Sequence, residues 1–170
     1  ALGTALAVAV KSGVSVENAD VTAIQKALMD DDCFIPWHER RLPELTLSAK
    51  CNAEIVRNGK DRGEENLWHG RDGDCVEYSF DSDTEIKEIR LVFDSDLNRR
   101  YHNMPCAYPL EENKFMLPST LIKDYIIEGT NESGEKFTFG IKNNRRRFVR
   151  HKVDMKIKSL RFIPLSTHGC

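Results

Sequence analysis

The chain has 170 residues, of which 40% are hydrophobic and 31% charged, with 25 basic side chains against 27 acidic ones. This length predicts one domain, or one domain with an appendage, and the apolar content excludes a disordered chain. The net charge of −2 gives no reason to expect a polyanionic partner, and no apolar run reaches the roughly 18–20 residues that span a bilayer.

The first 36 residues carry a helical pattern. Leu2, Leu6 and Val10 repeat every four residues, and Gly13 is a natural stop for the helix that they predict. A second helix is expected to start at Asp20, a good N-cap. The residues that this helix should bury are Val21, Ile24, Ala27 and Leu28. The chain opens inside an apolar segment without an initiator Met, so we expect it to be a piece of a longer protein.

Beyond Pro43 the apolar residues alternate with a period of 2 instead of 3.6. Runs with one apolar and one polar face predict antiparallel strands around a single core. These runs cover residues 45–55, 76–80, 89–93, 121–127, 137–141, 153–157 and 160–162. Turn residues such as Asn143-Asn144 separate them, and the proline-containing stretch 94–118 is expected to be a long loop. The pattern predicts a mainly β fold, an antiparallel β-sandwich or jelly roll preceded by two short helices.

Motifs of catalytic chemistry are sparse in this sequence. It contains no nucleophile elbow, no H-E-x-x-H and no phosphate-binding glycine loop, so we predict no self-contained active site. The five cysteines form no C-x-x-C pair and their number is odd, which favours free thiols. A single disulfide remains possible, so the sequence leaves the cellular compartment open.

The segment 55–68 is the most distinctive candidate site. Asn58, Asp61 and Asn66 offer hard oxygen ligands on one tight loop, which is the kind of donor that Ca²⁺ prefers. The alternative is a turn whose Asn and Asp side chains bond their own backbone, with Trp68 packed in the core. Two basic residues inside the same loop argue against a strong cation site.

Positive charge concentrates in the last quarter of the chain. The basic residues there are Lys142, Arg145, Arg146, Arg147, Arg150, Lys152, Lys156, Lys158 and Arg161. Nucleic-acid binding would require aromatic platforms among these charges, and only Phe148 interrupts the run. A solvated face, or an interface to an acidic partner domain, is therefore favoured over nucleic acid.

An ordered set of short motifs spans nearly the whole chain. They are Gly3-Thr4-Ala5-Leu6-Ala7, Ile24-Gln25-Lys26-Ala27-Leu28, Ile35-Pro36, Asn58-Gly59 with Arg62, Asn66-Leu67-Trp68, Phe93-Asp94-Ser95-Asp96-Leu97, Asn143 and Asn144 followed by Arg146 and Arg147, and Leu160-Arg161-Phe162 with Thr167-His168-Gly169. This set resembles the C-terminal region of bacterial FAD-dependent oxidoreductases of the glutathione-reductase-like class. In that region a galactose-binding-like (discoidin, or F5/8 type C) β-sandwich follows the flavin domain.

The resemblance implies that residues 1–36 are a helical remnant of the FAD-binding domain and that residues 37–170 form the sandwich. Gly3, Thr4 and Ala5 would begin the last helix of the FAD domain, with the helix N-terminus facing the flavin. They are the implied cofactor contacts, in the intact parent only, because the rest of the FAD site is missing. The implied function is a non-catalytic accessory domain that packs on the flavin domain and shapes substrate access.

A second function stays open, that of a discoidin-like carbohydrate-binding module attached to a glycoside hydrolase or a surface protein. Sugar-binding relatives use exposed aromatic and polar groups on loops at one end of the sandwich. The loop candidates for such a role here are Trp37, Tyr101, His102 and Tyr108. Most of the other aromatic residues fall on inward-facing strand positions, where they are expected to fill the core.

Overall fold

The structure is a computed structural model that describes residues 1–96 and 117–169. The chain divides into two compact units, Ala1–Leu42 and Pro43–Cys170. The division falls a few residues after the predicted boundary at Pro36. Most of the predicted loop 94–118 lies outside the described residues. Within the described part of the chain, no helix is long and apolar enough to cross a membrane.

Two helices make up most of the first unit. Helix α1 spans Leu2–Ser12 and ends at Gly13, whose φ of 67° is the left-handed conformation that glycine adopts readily. Helix α2 spans Val21–Asp30 and follows a short 3₁₀ turn, Val16–Asn18. The Asp20 side chain caps α2 by accepting a hydrogen bond from the Thr22 N–H at 2.9 Å. The predicted end of the first helix and the predicted start of the second are therefore confirmed.

The larger apolar residues of these helices are less buried than their spacing predicts. Leu2, Leu6 and Val10 are all exposed, and Ala9 is the buried residue of α1. On α2 the buried residue is Met29, while Ile24, Ala27 and Leu28 are half-buried. The prediction that Val21 is buried is wrong, since 63% of its surface is exposed. Val21 is the first residue of α2 and lies at the end of the helix, outside the apolar face formed by the residues that follow.

The second unit is built on an antiparallel sheet, which has five strands in the residues that the structure describes. These are β1 (Lys50–Cys51), β2 (Val76–Val92), β3 (Ile122–Thr130), β4 (Lys136–Ile141) and β5 (Phe148–Thr167). Their order across the sheet is β1-β2-β5-β3-β4. The mainly β, antiparallel fold predicted from the alternation is confirmed, with fewer and longer strands than the sequence indicated.

The long strands bend, so that one sheet contributes to both layers of the sandwich. The first half of β5 pairs with β2, and its second half, from Ser159 onward, also pairs with β3. His151 in the first half nevertheless reaches β3, with 2.8 Å between its Nε2 and the Tyr125 hydroxyl. Its ring also packs edge-on against Phe139 of β4, with 5.3 Å between the centroids. The β2–β5 pairing has register shifts between Ser79 and Thr84 and between Ile86 and Glu88, irregularities of the kind that bend a strand.

The core lies between these layers. Tyr125 and Ile157 have no exposed surface, and Phe93, Tyr125 and Phe162 stack with ring centroids 5.3 to 5.9 Å apart. Gly129 allows the strands to approach closely, because a Cβ added there would lie 2.9 Å from Ile157 Cγ2. The inward-facing aromatic residues predicted for these strands therefore fill the core.

Residues 45–55 do not form the predicted strand. A helical turn, α3, covers Glu44–Ser48, only the two residues of β1 pair with β2, and a 3₁₀ turn covers Glu54–Arg57. The side chain of Arg57, which lies 8 to 11 positions later in the sequence, stabilises this arrangement by direct hydrogen bonds. Its Nη1 donates hydrogen bonds to three backbone carbonyls, those of Thr46, Leu47 and Ala49. Carbonyls at the end of a helical turn lack hydrogen-bond donors within the helix, and the Arg57 guanidinium provides these donors.

His151 makes the stability of the sandwich dependent on pH. Burial lowers the pKa of His151, whose neighbours in the described residues include the Tyr125 hydroxyl, the Phe139 ring and Ile89, its partner in the β2–β5 register. None of these carries a carboxylate that would stabilise the imidazolium. The unfolded chain, with a histidine pKa of about 6.5, therefore takes up the proton first on acidification. Stability from neutral His151 is complete above about pH 6.5 and is lost as the pH falls.

We expect the urea midpoint of the wild type to fall more steeply than that of H151Q as the pH is lowered from about 7.5 to about 5.5. Gln does not titrate and keeps an acceptor for the Tyr125 hydroxyl. An H38Q variant, which removes an exposed histidine of the first unit, is the matched control and should keep the wild-type slope. Equal slopes for wild type and H151Q would contradict this role for His151.

Candidate ligand-binding loops

The loop from Asn58 to Asn66 is held together by its own side chains. Asn58 Oδ1 accepts a hydrogen bond from the Lys60 N–H at 2.9 Å, and Asn58 Nδ2 donates to Asn66 Oδ1 at 2.8 Å. Asn66 Nδ2 donates to the Arg62 carbonyl at 2.8 Å. The first of these bonds defines an Asx turn, which is the alternative to calcium that the sequence left open.

Asp61 connects this loop to the start of β5. Arg147 Nη2 donates to the Asp61 carbonyl at 3.0 Å and lies 3.8 Å from Asp61 Oδ2. Only 14% and 13% of the two side chains are exposed, so the pair is shielded from solvent far more than an ordinary surface ion pair. The oxygens of the three predicted calcium ligands, Asn58, Asp61 and Asn66, thus already face other partners. Calcium binding stays a prediction, and no group of three or more His, Cys, Asp and Glu in the described residues is placed to hold a metal.

The β4–β5 loop, residues 142–147, is fastened through Asn144, which is only 8% exposed. Asn144 Nδ2 donates to the carbonyls of Ile122 at 2.8 Å and Arg146 at 3.0 Å, and Oδ1 accepts from the Arg146 N–H at 3.0 Å. The Asn144 N–H donates to the Lys123 carbonyl at 2.8 Å, and His168 Nε2 lies 2.6 Å from the Asn144 carbonyl. Through its side chain and its backbone, the buried Asn144 therefore joins this loop to β3 and to His168, just after the end of β5.

A second anchor of the same loop is Asp124 on β3. Asn143 adopts a left-handed φ of 56°, and its N–H donates to Asp124 Oδ1 at 2.8 Å. Ser166 Oγ donates to Asp124 Oδ2 at 2.7 Å. The Ser166 hydroxyl and then the Asn143 N–H lower the pKa of Asp124, so this carboxylate is ionised at neutral pH. The sequence predicted the turn at Asn143 but gave no signal for Asp124.

The fastened loop carries basic side chains on its exposed positions, namely Lys142, Arg145 and Arg146. The guanidinium groups of Arg145 and Arg146 make no hydrogen bond or ion pair with any residue that the structure describes. Five other arginines of the second unit have carboxylate partners, namely Arg57, Arg90, Arg147, Arg150 and Arg161. Among the residues that the structure describes, Arg145 and Arg146 are therefore two unpaired guanidinium groups on a loop whose backbone is hydrogen-bonded to Asn144.

The basic residues of β5 are arranged differently. Lys152 and Lys156 are exposed and stand opposite Glu88 and Glu85 of β2 in the strand register. Cross-strand pairs of opposite charge are typical of a solvated sheet face. This arrangement fits the solvated face that the sequence favoured for these lysines.

Hydrogen bonds bring several loops to one end of the sandwich. The Phe93 N–H donates to the Arg147 carbonyl at 2.8 Å, so the end of β2 lies beside the start of β5. The Gly169 N–H donates to the Ser119 carbonyl at 3.0 Å, and the His168 N–H to the Leu121 carbonyl at 3.1 Å. The loop 94–118 therefore leaves and re-enters the sandwich at the end that carries the other two loops. We call the Asn58–Asn66 loop, residues 142–147 and these two bases the loop end.

Three of the predicted sugar-binding residues, Tyr101, His102 and Tyr108, lie outside the described residues, between the two bases of the loop 94–118. The fourth, Trp37, belongs to the first unit. Its side chain is fully exposed and its φ is 58°, a conformation that bulky residues rarely adopt. An aromatic ring displayed in this way is a candidate platform for a ligand.

The predicted flavin contacts Gly3, Thr4 and Ala5 lie in the first turn of α1. Gly3 and Thr4 line an open groove of ≈450 Å³ beside α2. A Cβ added at Gly3 would meet nothing within 4 Å, so packing within the described residues does not require glycine there. Contact with a flavin stays a prediction.

Comparison with known proteins identifies the fold of the chain. A scan against protein-family models and a search of curated proteins give no match. Among solved structures, the chain is similar to the family 32 carbohydrate-binding module from Streptococcus pneumoniae EndoD, with a TM-score of 0.50 and 9% identity over 72% of this chain and 86% of that one. At this identity the likeness concerns the fold alone, and it agrees with the predicted galactose-binding-like β-sandwich. The comparisons give no support for an FAD-dependent oxidoreductase.

Proposed function

We propose that the second unit is a carbohydrate-binding module, the second of the two functions that the sequence left open. One observation carries the proposal: on a fold that a carbohydrate-binding module also has, buried hydrogen bonds hold several polar loops together at one end. Loops fixed before binding lose little conformational entropy when a ligand arrives. Amide and guanidinium donors beside aromatic rings are the groups that orient a polar ligand in a shallow site.

The accessory role beside a flavin domain, with FAD bound in the parent, is the weaker candidate. It depends on the resemblance of short motifs, and no contact among the described residues adds to it. Structural calcium in the Asn58–Asn66 loop is compatible with either function. An unchanged melting temperature in the presence of a chelator would argue against calcium, because a ligand bound to the native state raises that temperature.

The proposal predicts saturable binding of the full chain to members of a glycan panel. The Y101A/Y108A double variant should lose affinity by about tenfold or more, since aromatic residues at the centre of a binding site carry much of the binding energy. Isothermal titration measures the affinity, and the thermal unfolding midpoint shows that the variant is folded.

The W37A variant separates the two candidate locations. Unchanged binding in W37A, together with loss in Y101A/Y108A, supports a site at the loop end of the sandwich. Loss of binding in W37A alone would place the site in the first unit and contradict the proposal. Absence of binding to every glycan of a broad panel would also contradict it.

A further inference from the structure

We propose that this module selects acidic glycans, and that Arg145 and Arg146 bind the anionic group, a carboxylate or a sulfate, of the sugar. The inference rests on the proposed glycan-binding function and names the ligand class for the loop end. Its basis is a pair of exposed guanidinium groups that have no carboxylate partner among residues 1–96 and 117–169.

Arg145 and Arg146 are adjacent in the chain, which distinguishes them from Arg71, a single exposed arginine of the second unit that also has no carboxylate partner among the described residues. Five other arginines of the second unit face carboxylates, and one of them, Arg161, faces two, Glu77 at 3.8 Å and Glu128 at 3.4 Å. Arg145 and Arg146 are exposed and have no such partner in the described residues. A guanidinium presents several N–H donors in a plane that matches a carboxylate or a sulfate oxygen pair.

The support beneath the pair is rigid. The Asn144 side chain donates hydrogen bonds to the Ile122 and Arg146 carbonyls and accepts one from the Arg146 N–H. These bonds hold the backbone that carries the two arginines. The residue before Asn144, Asn143, is held as well, because its N–H donates a hydrogen bond to Asp124. An anion therefore meets arginines whose backbone is already ordered, which lowers the entropic cost of binding.

Three carboxylates of the elements that contact this loop have hydrogen bonds or ion pairs of their own. Asp61 faces Arg147, and Asp124 accepts from Ser166 and from the Asn143 N–H. Asp94, one residue beyond the Phe93 that pairs with Arg147, accepts from the Asp96 N–H. None of these carboxylates forms an ion pair with Arg145 or Arg146 in the described residues, so the pair keeps its donors for an external anion.

The extent of the charge fits a sugar acid better than a nucleic acid. The guanidinium groups of Arg145 and Arg146 share one loop with Lys142, and Lys152 and Lys156 farther along β5 stand opposite glutamates of β2. A bound nucleic acid would need a longer series of phosphate contacts with aromatic platforms between them. One carboxylate or sulfate needs only the two arginines.

The test compares three polysaccharides on the full chain: polygalacturonate, a sulfated galactan and a neutral galactan, with a 20-mer single-stranded DNA as a fourth probe. We expect at least one acidic polysaccharide to bind about tenfold tighter than the neutral one, and R145Q/R146Q to remove that advantage. K152Q/K156Q changes the charge by the same amount on the sheet face, and it should alter binding less than about twofold. The relative strength of the first two probes shows whether carboxylate or sulfate is preferred.

The outcomes separate this inference from the proposed function. Equal binding of neutral and acidic polysaccharides would overturn the acidic preference and leave glycan binding standing, whereas no binding to any of them, nor to a broad panel, would overturn both. Equal losses in the two double variants would show unspecific charge attraction and overturn the role of the arginines. DNA binding as tight as glycan binding, with the same dependence on Arg145 and Arg146, would overturn the inference in favour of nucleic acid.

Discussion

Replacing Ile157 with alanine should lower the free energy of unfolding by about 2–5 kcal/mol. Ile157 is fully buried, and its Cγ2 and Cδ1 pack over Gly129, where no side chain can move in to fill the space that is lost. The removed methyl groups would leave a cavity between the layers, which adds to the lost burial of apolar surface. Urea denaturation should show a lower midpoint at an unchanged slope.

A loss of this size is a large part of the 5–15 kcal/mol that holds a typical domain folded, so I157A alone could fail to fold. The I157V variant keeps the experiment decisive, because it removes one methyl group and should cost about 0.5–1.5 kcal/mol. K156A, on the exposed side of the same strand, should stay within about 0.5 kcal/mol of the wild type. A cost for I157V no larger than that of K156A would show that Ile157 is not a central core residue.

The alternation that identified Ile157 predicted the core well and the strand ends poorly. Val153, Met155 and Ile157 share one phase, and Leu160 and Phe162 the other, so the sequence indicated two strands. The structure has one strand, β5, which bends and pairs first with β2 and then also with β3. A bend changes the face that each residue presents, and the alternation cannot distinguish this change of phase from the end of a strand.

The helical turn at Glu44–Ser48 was missed for a different reason. Leu45 and Leu47 alternate like strand residues, but 39% and 56% of their surfaces are exposed, so no core selects that alternation. The turn is held instead by hydrogen bonds from Arg57, a residue that is not part of the alternating Leu45 and Leu47. Hydrogen bonds between side chain and backbone over such a distance leave no periodic signal in a sequence.

The sequence predicts individual residues of the loop end, but it does not predict that these residues lie close together. The turn residues at Asn58 and Asn143 and the charge at Arg145 and Arg146 are visible in the sequence. Their meeting at one end depends on the Asp61–Arg147 pair, whose members are 86 positions apart. No spacing rule connects residues at that separation, so the sequence assigned Arg147 to a basic run instead of to a structural ion pair.

The largest expected effect at the loop end comes from Asn144. The N144A variant leaves the carbonyls of Ile122 and Arg146, and the Arg146 N–H, without their partner in a buried setting. Each buried polar group left without a partner costs about 1–3 kcal/mol, and partial access of water reduces the sum. We therefore expect N144A to lose about 2–4 kcal/mol of unfolding free energy, measured by urea denaturation at neutral pH.

The N144D variant tests whether the hydrogen bonds, rather than the volume of the side chain, are what matters. It has nearly the same shape but sets a carboxylate oxygen against the two carbonyls that Nδ2 now contacts, so it should be less stable than N144A at about pH 7. The repulsion raises the pKa of the new carboxyl in the folded state above its unfolded value of about 3.9, and protonation restores one donor. The stability that depends on the protonated acid is therefore present at low pH and lost as the pH rises, so N144D should recover relative to N144A on acidification. An N144D variant as stable as the wild type at neutral pH would show that the buried amide does not hold the loop, and the rigid support under Arg145 and Arg146 would then need another source.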